Sequence, residues 1–188
     1  MKKIAVFASG SGTNFQAFIE AATHNILQAD IVLLVSDKQD CKAVERAKNH
    51  NIDIFSFDPK TYPSKAVFEQ EIVEILQQKE VDLIVLAGYM RLVGEVLLSA
   101  FEGKIVNIHP SLLPAFPGLH AIEKAYQYGV KVLGITIHYV DSGMDTGAIL
   151  AQDSFRIDGH ETLEEVENRI HQLEHQLYPK TIQKLLNH

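Results

Sequence analysis

The chain has 188 residues, 46% of them hydrophobic and 22% charged, and a formal net charge of -7 at pH 7. That length fits one domain around one core and is short for two, and the composition excludes a disordered chain. The negative balance argues against a general nucleic-acid-binding surface, while a single cysteine, Cys41, excludes an intramolecular disulfide and a cysteine-based metal cluster.

The first apolar stretch, Ile4 to Ala8, runs straight into a glycine-rich turn, so it reads as a buried strand and not as a signal peptide. Phe15, Phe18 and Ile19 then recur at helical spacing between Asn14 and Ala22. The alternation continues with "ADIVLLVSD" (29–37) as a strand, "CKAVERAKNH" (41–50) as a helix, "IDIFSF" (52–57) as a strand, "KAVFEQEIVEILQQKE" (65–80) as a helix and "VDLIVLAGY" (81–89) as a strand. Successive βα units imply a parallel sheet with helices on both faces. "KIVNIH" (104–109) adds a fifth strand. "VLGITIHYV" (132–140) and "AILAQDSFRI" (148–157) are separated only by "DSGMDTG", too short for a crossover helix, so they should pair antiparallel at one side of the sheet. The last segment, 161–188, reads as a long helix interrupted near Tyr178-Pro179, because proline disfavours helical geometry in the residue before it. The expected fold is α/β: a mostly parallel twisted sheet of about seven strands with an antiparallel part near the C-terminal end, in one domain over 1–188. No run approaches the ~20 apolar residues of a membrane span, and a reducing cytoplasm is the expected location.

Three stretches carry chemistry. In "SGSGTN" (9–14) a strand feeds a glycine turn that opens a helix, which leaves backbone N-H groups unpaired at the positive end of the helix dipole, a setting that suits a phosphate. The dinucleotide fingerprint would need a glycine where Phe15 stands, although Asp37 sits where a ribose-binding acid would. The alternative is a tight turn with Thr13 or Asn14 as helix cap.

In "KIVNIHPSLLPAFPGLH" (104–120), Asn107 and His109 are two apart on a strand and project from the same face, and Pro110 ends the pairing. Ligands of open α/β sheets sit at that carboxyl end. An amide and an imidazole placed there are suited to neutralise an oxyanion, and the prolines at 110, 114 and 117 would stiffen the loop that follows. His24, His50, His171 and His188 have no comparable setting. In "HYVDSGMDTG" (138–147) the two aspartates are either turn residues capping their own backbone or the source of a carboxylate that reaches His109, favours imidazolium and accepts a proton. No segment has metal-ligand spacing, and no metal is expected.

"FASGSGTNFQA", "VLAGYMRL", "NIHPSLLPAFPGLHA", "GITIHYVDSGMDTGAILAQ" and "EHQLYP" resemble the successive motifs of the phosphoribosylglycinamide formyltransferases, folate-dependent enzymes of purine synthesis with a Rossmann-like fold. The likeness covers nearly the whole chain. It implies transfer of a formyl group from 10-formyltetrahydrofolate, as co-substrate, to the amine of glycinamide ribonucleotide. By matching motif positions it implies Asn107, His109 and Asp145 as the catalytic three. Gly12, Thr13 and Asn14 would hold the ribonucleotide phosphate, with Lys65 near it and Gly88 and Glu174 beside the substrate; Met90, Arg91, Leu92, Val93, Val140 and Asp141 would surround the pterin. Two departures are mild: Lys65 stands where an Arg or Lys is expected, and Ala148 replaces a frequent proline. The implied partners are these small molecules, with no nucleic acid and no membrane, and a homodimer is compatible. A tRNA formyltransferase would carry an added C-terminal domain and a formyltetrahydrofolate hydrolase an added N-terminal one; at 188 residues the chain is expected to have room for neither. A non-catalytic nucleotide-binding module on the same sheet would rest only on Gly10, Gly12 and Asp37.

Overall fold

The computed structural model describes Met1–His188. Seven strands and six α-helices follow one another as β1 (Lys2–Phe7), α1 (Thr13–Thr23), β2 (Ala29–Ser36), α2 (Lys42–Asn49), β3 (Ile54–Ser56), α3 (Lys65–Gln78), β4 (Leu83–Leu86), α4 (Glu95–Ala100), β5 (Ile105–His109), α5 (Ala121–Tyr128), β6 (Val132–Tyr139), β7 (Ile149–Arg156) and α6 (Leu163–Leu186). They form one sheet in the order β3-β2-β1-β4-β5-β6-β7. The first five strands pair in parallel and β6 and β7 are antiparallel. The strand order reverses direction between β1 and β4, which makes their carboxyl ends the switch point where such sheets open a crevice.

Strand alternation divides the core in two. Ile4, Val6, Val85, Val106 and Ile108 face a cluster shared with α1, α2, α5 and α6. Ala5, Phe7, Ile84, Leu86 and Ile105 face a second cluster with Phe68, Ile72 and Leu76 of α3 and Leu97 of α4. Asn107 and His109 have the parity of Ile105, so they lie on the α3 and α4 face beyond the reach of the six-residue α4.

The C-terminal segment differs from expectation, for α6 is one unbroken helix of 24 residues with Pro179 inside it. Proline removes one helical hydrogen bond, but tertiary anchoring outweighs that loss. Tyr178 is fully buried, its ring 4.9 Å edge-on from Phe18, and its hydroxyl donates to the Leu86 carbonyl at 2.7 Å with the Val106 carbonyl at 3.2 Å. Helix α6 is thereby pinned to the carboxyl ends of β4 and β5. Glu174, one turn earlier on the same helix face, is brought to the crevice.

Candidate active site

A cavity of about 520 Å³ opens at the switch point, walled by the turn after β1, the 86–93 and 107–110 segments, residues 118–121, the β6–β7 loop and α6. At one end lies the glycine turn. Gly12 is the N-cap of α1 with φ 69, and no side chain caps the helix, so neither Thr13 nor Asn14 serves as the cap. The backbone N-H groups of Ser11, Gly12, Thr13 and Asn14 have no acceptor within the protein. The Oδ1 of Asn14 is also buried without a partner. Four free donors at the positive end of a helix suit an anion.

Why position 12 must be glycine follows from two features: the left-handed φ, and the 2.9 Å at which a Cβ would meet the Cα and Cβ of Ala43 on α2. A side chain there would point back at α2 and not into the cavity, while one at Gly10 would meet nothing within 4 Å. We therefore expect Gly12→Ala to lower stability by about 1–3 kcal/mol through strain and displacement of the turn. Gly10→Ala should melt like the parent. Thermal unfolding of the two variants side by side checks this, and equal midpoints would remove the steric argument.

At the centre of the cavity, Asn107 pairs directly across the sheet with His138 of β6, so the two side chains share a face. His138 Nδ1-H donates to the Tyr139 carbonyl at 2.8 Å, which in the neutral ring leaves Nε2 as the acceptor. Asn107 Nδ2 lies 3.4 Å from that Nε2, which orients the amide NH2 and leaves its second N-H for a ligand. His109, 5% exposed, donates from Nε2 to the Phe116 carbonyl at 2.8 Å. Its Nδ1 lies 3.4 Å from Asp145 Oδ2 in a charge contact that is not one of its hydrogen bonds, so a proton on Nδ1 can be offered elsewhere. Asp145 accepts from the Gly118 N-H at 2.8 Å, and its other oxygen is 3.8 Å from His138 Nε2. The backbone around this group is unusual: Phe116, His120 and Asp145 all take left-handed φ angles between 51 and 57. Such clustering is the signature of a site held in place by its surroundings.

The two aspartates of the β6–β7 loop divide the readings between them. Asp141 is a turn residue whose Oδ1 accepts from Thr146 Oγ1 at 2.7 Å and Gly143 N at 2.9 Å, bonds that hold its carboxyl below the usual range. Asp145 is the one that reaches His109.

The segment after β4 forms the third part of the wall. Ser9 Oγ donates to Asp37 Oδ1 at 2.5 Å and accepts from Met90 N at 2.8 Å, and Arg91 Nε donates to Asp37 Oδ2 at 3.0 Å. Asp37, 5% exposed, therefore has both oxygens engaged in fixing the 88–91 turn and lies off the cavity wall. With it goes the main support for a dinucleotide site. Gly88, Met90, Arg91, Leu92, Val93, Val140 and Asp141 all line the cavity, with Leu119 and Met144 adding apolar surface that motif spacing does not mark. Glu174 lines it as well, 5% exposed and paired with His171 Nδ1 at 2.8 Å; that carboxylate bond raises the His171 pKa above its ordinary value. His171 thus belongs to the cavity wall, contrary to its isolated look in the sequence.

Lys65 does not join this group. It is the first residue of α3, and its Nζ donates to the Leu92 carbonyl at 2.9 Å. One turn along, the buried Glu69 accepts from the Gly94 N-H at 2.7 Å. The pair clamps the 92–94 segment from behind, and Lys65 is absent from the cavity wall. No group of three or more His, Cys, Asp or Glu side chains is arranged to hold a metal ion, and no helix is long and apolar enough to cross a membrane.

The formyl transferase family model matches residues 2–182. The chain belongs to that family. It is 57% identical over 186 residues to the phosphoribosylglycinamide formyltransferase of Bacillus subtilis, covering 99% of this chain and 95% of that one. A crystal structure of glycinamide ribonucleotide transformylase 1 from Geobacillus kaustophilus is 57% identical, with a TM-score of 0.97 and 99% of both chains covered. The chain is also 38% identical to a trifunctional purine biosynthetic protein of Drosophila melanogaster, where it matches 14% of the length. Membership makes this protein a formyltransferase, with a cavity whose anion cradle, polar centre and apolar wall are contiguous.

Proposed function

We propose that this chain, acting as a single domain, transfers the formyl group of 10-formyltetrahydrofolate to the amine of 5'-phosphoribosylglycinamide, the step of purine synthesis named for its relatives. The observation that carries the reading is one cavity lined both by four unpaired N-H groups and by Asn107, His109 and Asp145. A phosphate fits the first and an amide-forming reaction fits the second. The apolar wall of Met90, Leu92, Val93, Val140 and Met144 fits a flat, largely apolar ring beside the centre. The bound folate supplies an activated formyl group.

Each chain residue then has a stated task. Asn107 Nδ2-H and a proton on His109 Nδ1 donate to the oxygen on which negative charge develops as the amine adds to the formyl carbon. Phe116 keeps His109 turned with Nδ1 toward Asp145. Asp145 accepts the proton that the attacking nitrogen sheds and delivers one, directly or through water, to the departing folate nitrogen. The C-N bond formed and the C-N bond broken balance, the proton lost equals the proton gained, and no covalent enzyme intermediate is required. With Asn107 and His109 as donors, no metal is called for. Ser11 to Asn14 bind the phosphate far from the reacting atoms, which fixes the amine in register.

Absorbance detection of tetrahydrofolate, with glycinamide ribonucleotide added or omitted, tests the reading. Product only when the amine is present supports it. Product without the amine would mean hydrolysis, and none in either case would leave a binding module.

Lys65 gives a sharper test of substrate placement. As a clamp on the Leu92 carbonyl, Lys65→Met should raise the folate KM roughly 10- to 100-fold, the range for a hydrogen bond made by a charged group, and leave the ribonucleotide KM alone. The reverse pattern in steady-state kinetics would restore Lys65 to the phosphate.

A further inference from the structure

The anion cradle works only if the peptide N-H groups of the turn point into the cavity, and nothing in the turn's own sequence ensures that. The restraint comes from α2. Ala43 N donates to the Gly10 carbonyl at 3.1 Å, and Arg46 Nε donates to the Ser11 carbonyl at 2.8 Å. In a trans peptide the C=O and the N-H of the next residue point in opposite directions. Pulling the Gly10 and Ser11 carbonyls back to α2 therefore aims the Ser11 and Gly12 N-H groups away from it, and both of these lack an acceptor within the protein.

Arg46 also reaches α1, where its Nη1 donates to Gln16 Oε1 at 3.3 Å. Its Cδ lies 3.3 Å from the place a Gly12 Cβ would take, so the stem of the side chain packs under the turn. The guanidinium is permanently charged, and its planar fork can hold the Ser11 carbonyl and the Gln16 amide at once. Yet Arg46 is not on the cavity wall. We infer that Arg46 is a positioning residue for the ligand phosphate: it holds the Ser11 peptide in the orientation that presents the cradle and adds positive charge behind it, without touching the ligand.

This inference rests on the function proposed above, and two measurements separate them. The first is steady-state kinetics of Arg46→Met, which keeps the packed stem and removes both hydrogen bonds and the charge. The ribonucleotide KM should rise roughly 10- to 100-fold, the range for a hydrogen bond made by a charged group, while kcat at saturation and the folate KM stay parental. A joint loss of kcat and both KM values would mean general damage and overturn the inference.

The second measurement is titration of the 15N-labelled protein with inorganic phosphate, with no turnover involved. Phosphate should shift the Ser11 and Gly12 amide signals in the parent, and should bind at least tenfold more weakly to Arg46→Met. Equal phosphate affinity in the two proteins overturns the inference even if the parent turns over the ribonucleotide. Should the parent fail to use the ribonucleotide while phosphate still binds at these amides in an Arg46-dependent way, the function is wrong and the inference stands. If Arg46→Met does not fold, Arg46→Lys keeps the charge but only one donor nitrogen in place of the two the guanidinium uses, and should bind phosphate with intermediate affinity. Parental affinity in that variant would overturn the role of the fork.

Discussion

Asn107→Ala should turn over about 100- to 1,000-fold more slowly than the parent, the cost of removing one preorganised donor to an oxyanion, with both KM values within a few fold. The geometry explains why the loss falls on kcat. Asn107 is half-buried in the middle of β5, its amide oriented by His138 Nε2 at 3.4 Å, and its second N-H faces the cavity, where charge appears only after the amine has added. A donor of that kind contributes little to holding the ground state. His109→Ala is a less clean probe, because it also strips the Phe116 carbonyl of its Nε2-H partner and with it a restraint on the 110–120 loop. Stopped-flow or steady-state folate absorbance, with circular dichroism to verify the fold, measures the Asn107→Ala effect. A variant with kcat near the parental value, or one that fails through KM alone, would show that Asn107 binds substrate and does not stabilise the transition state.

The orienting role of His138 suggests why part of this site is legible in the sequence and part is not. Asn107 and His109 can be read directly, since the period of two along a strand places them on one face and Pro110 marks the strand end. The glycine turn can be read because a strand, two glycines and a helix leave donors free at the helix start, although their direction depends on α2. His138 carries no local signal. Its proximity to Asn107 is created by the antiparallel register of β5 and β6, which pairs the two residues across a 22-residue connection containing α5. Arg46 is hidden for the same reason, being ordinary in a helix and meaningful only where α2 packs against the turn. Lys65 shows the converse: a cation expected at the phosphate is held instead by the Leu92 carbonyl on the far side of the 88–94 segment.

Among the elements, the five parallel strands and the antiparallel pair follow from alternation and linker length. Helix α4, six residues long, is too short for apolar periodicity to reveal it, whereas α5 goes unread although it is as long as α2. The helix through Pro179 follows from a buried tyrosine that no helix-breaking rule takes into account.

Asp145→Asn should lower kcat about 100- to 10,000-fold, the range for losing a general acid-base group, and leave ribonucleotide binding near parental. The substitution isolates charge and proton acceptance from shape. Asparagine tolerates the left-handed φ of 56 that this position requires, and its side-chain oxygen can still accept from the Gly118 N-H. What disappears is the carboxylate 3.4 Å from His109 Nδ1 and its capacity to carry a proton between the two nitrogens. Ser11 to Asn14 lie on a different loop, so phosphate anchoring should persist. Asp145→Ala should add a loss of stability, since alanine has neither the acceptor for Gly118 nor asparagine's ease in that backbone region. Turnover, ribonucleotide binding by calorimetry and thermal unfolding of both variants separate these contributions. Near-parental turnover in Asp145→Asn would reduce Asp145 to a latch on Gly118 and require another group to move the proton; apart from His109, the titratable side chain against the same carboxylate is His138, at 3.8 Å.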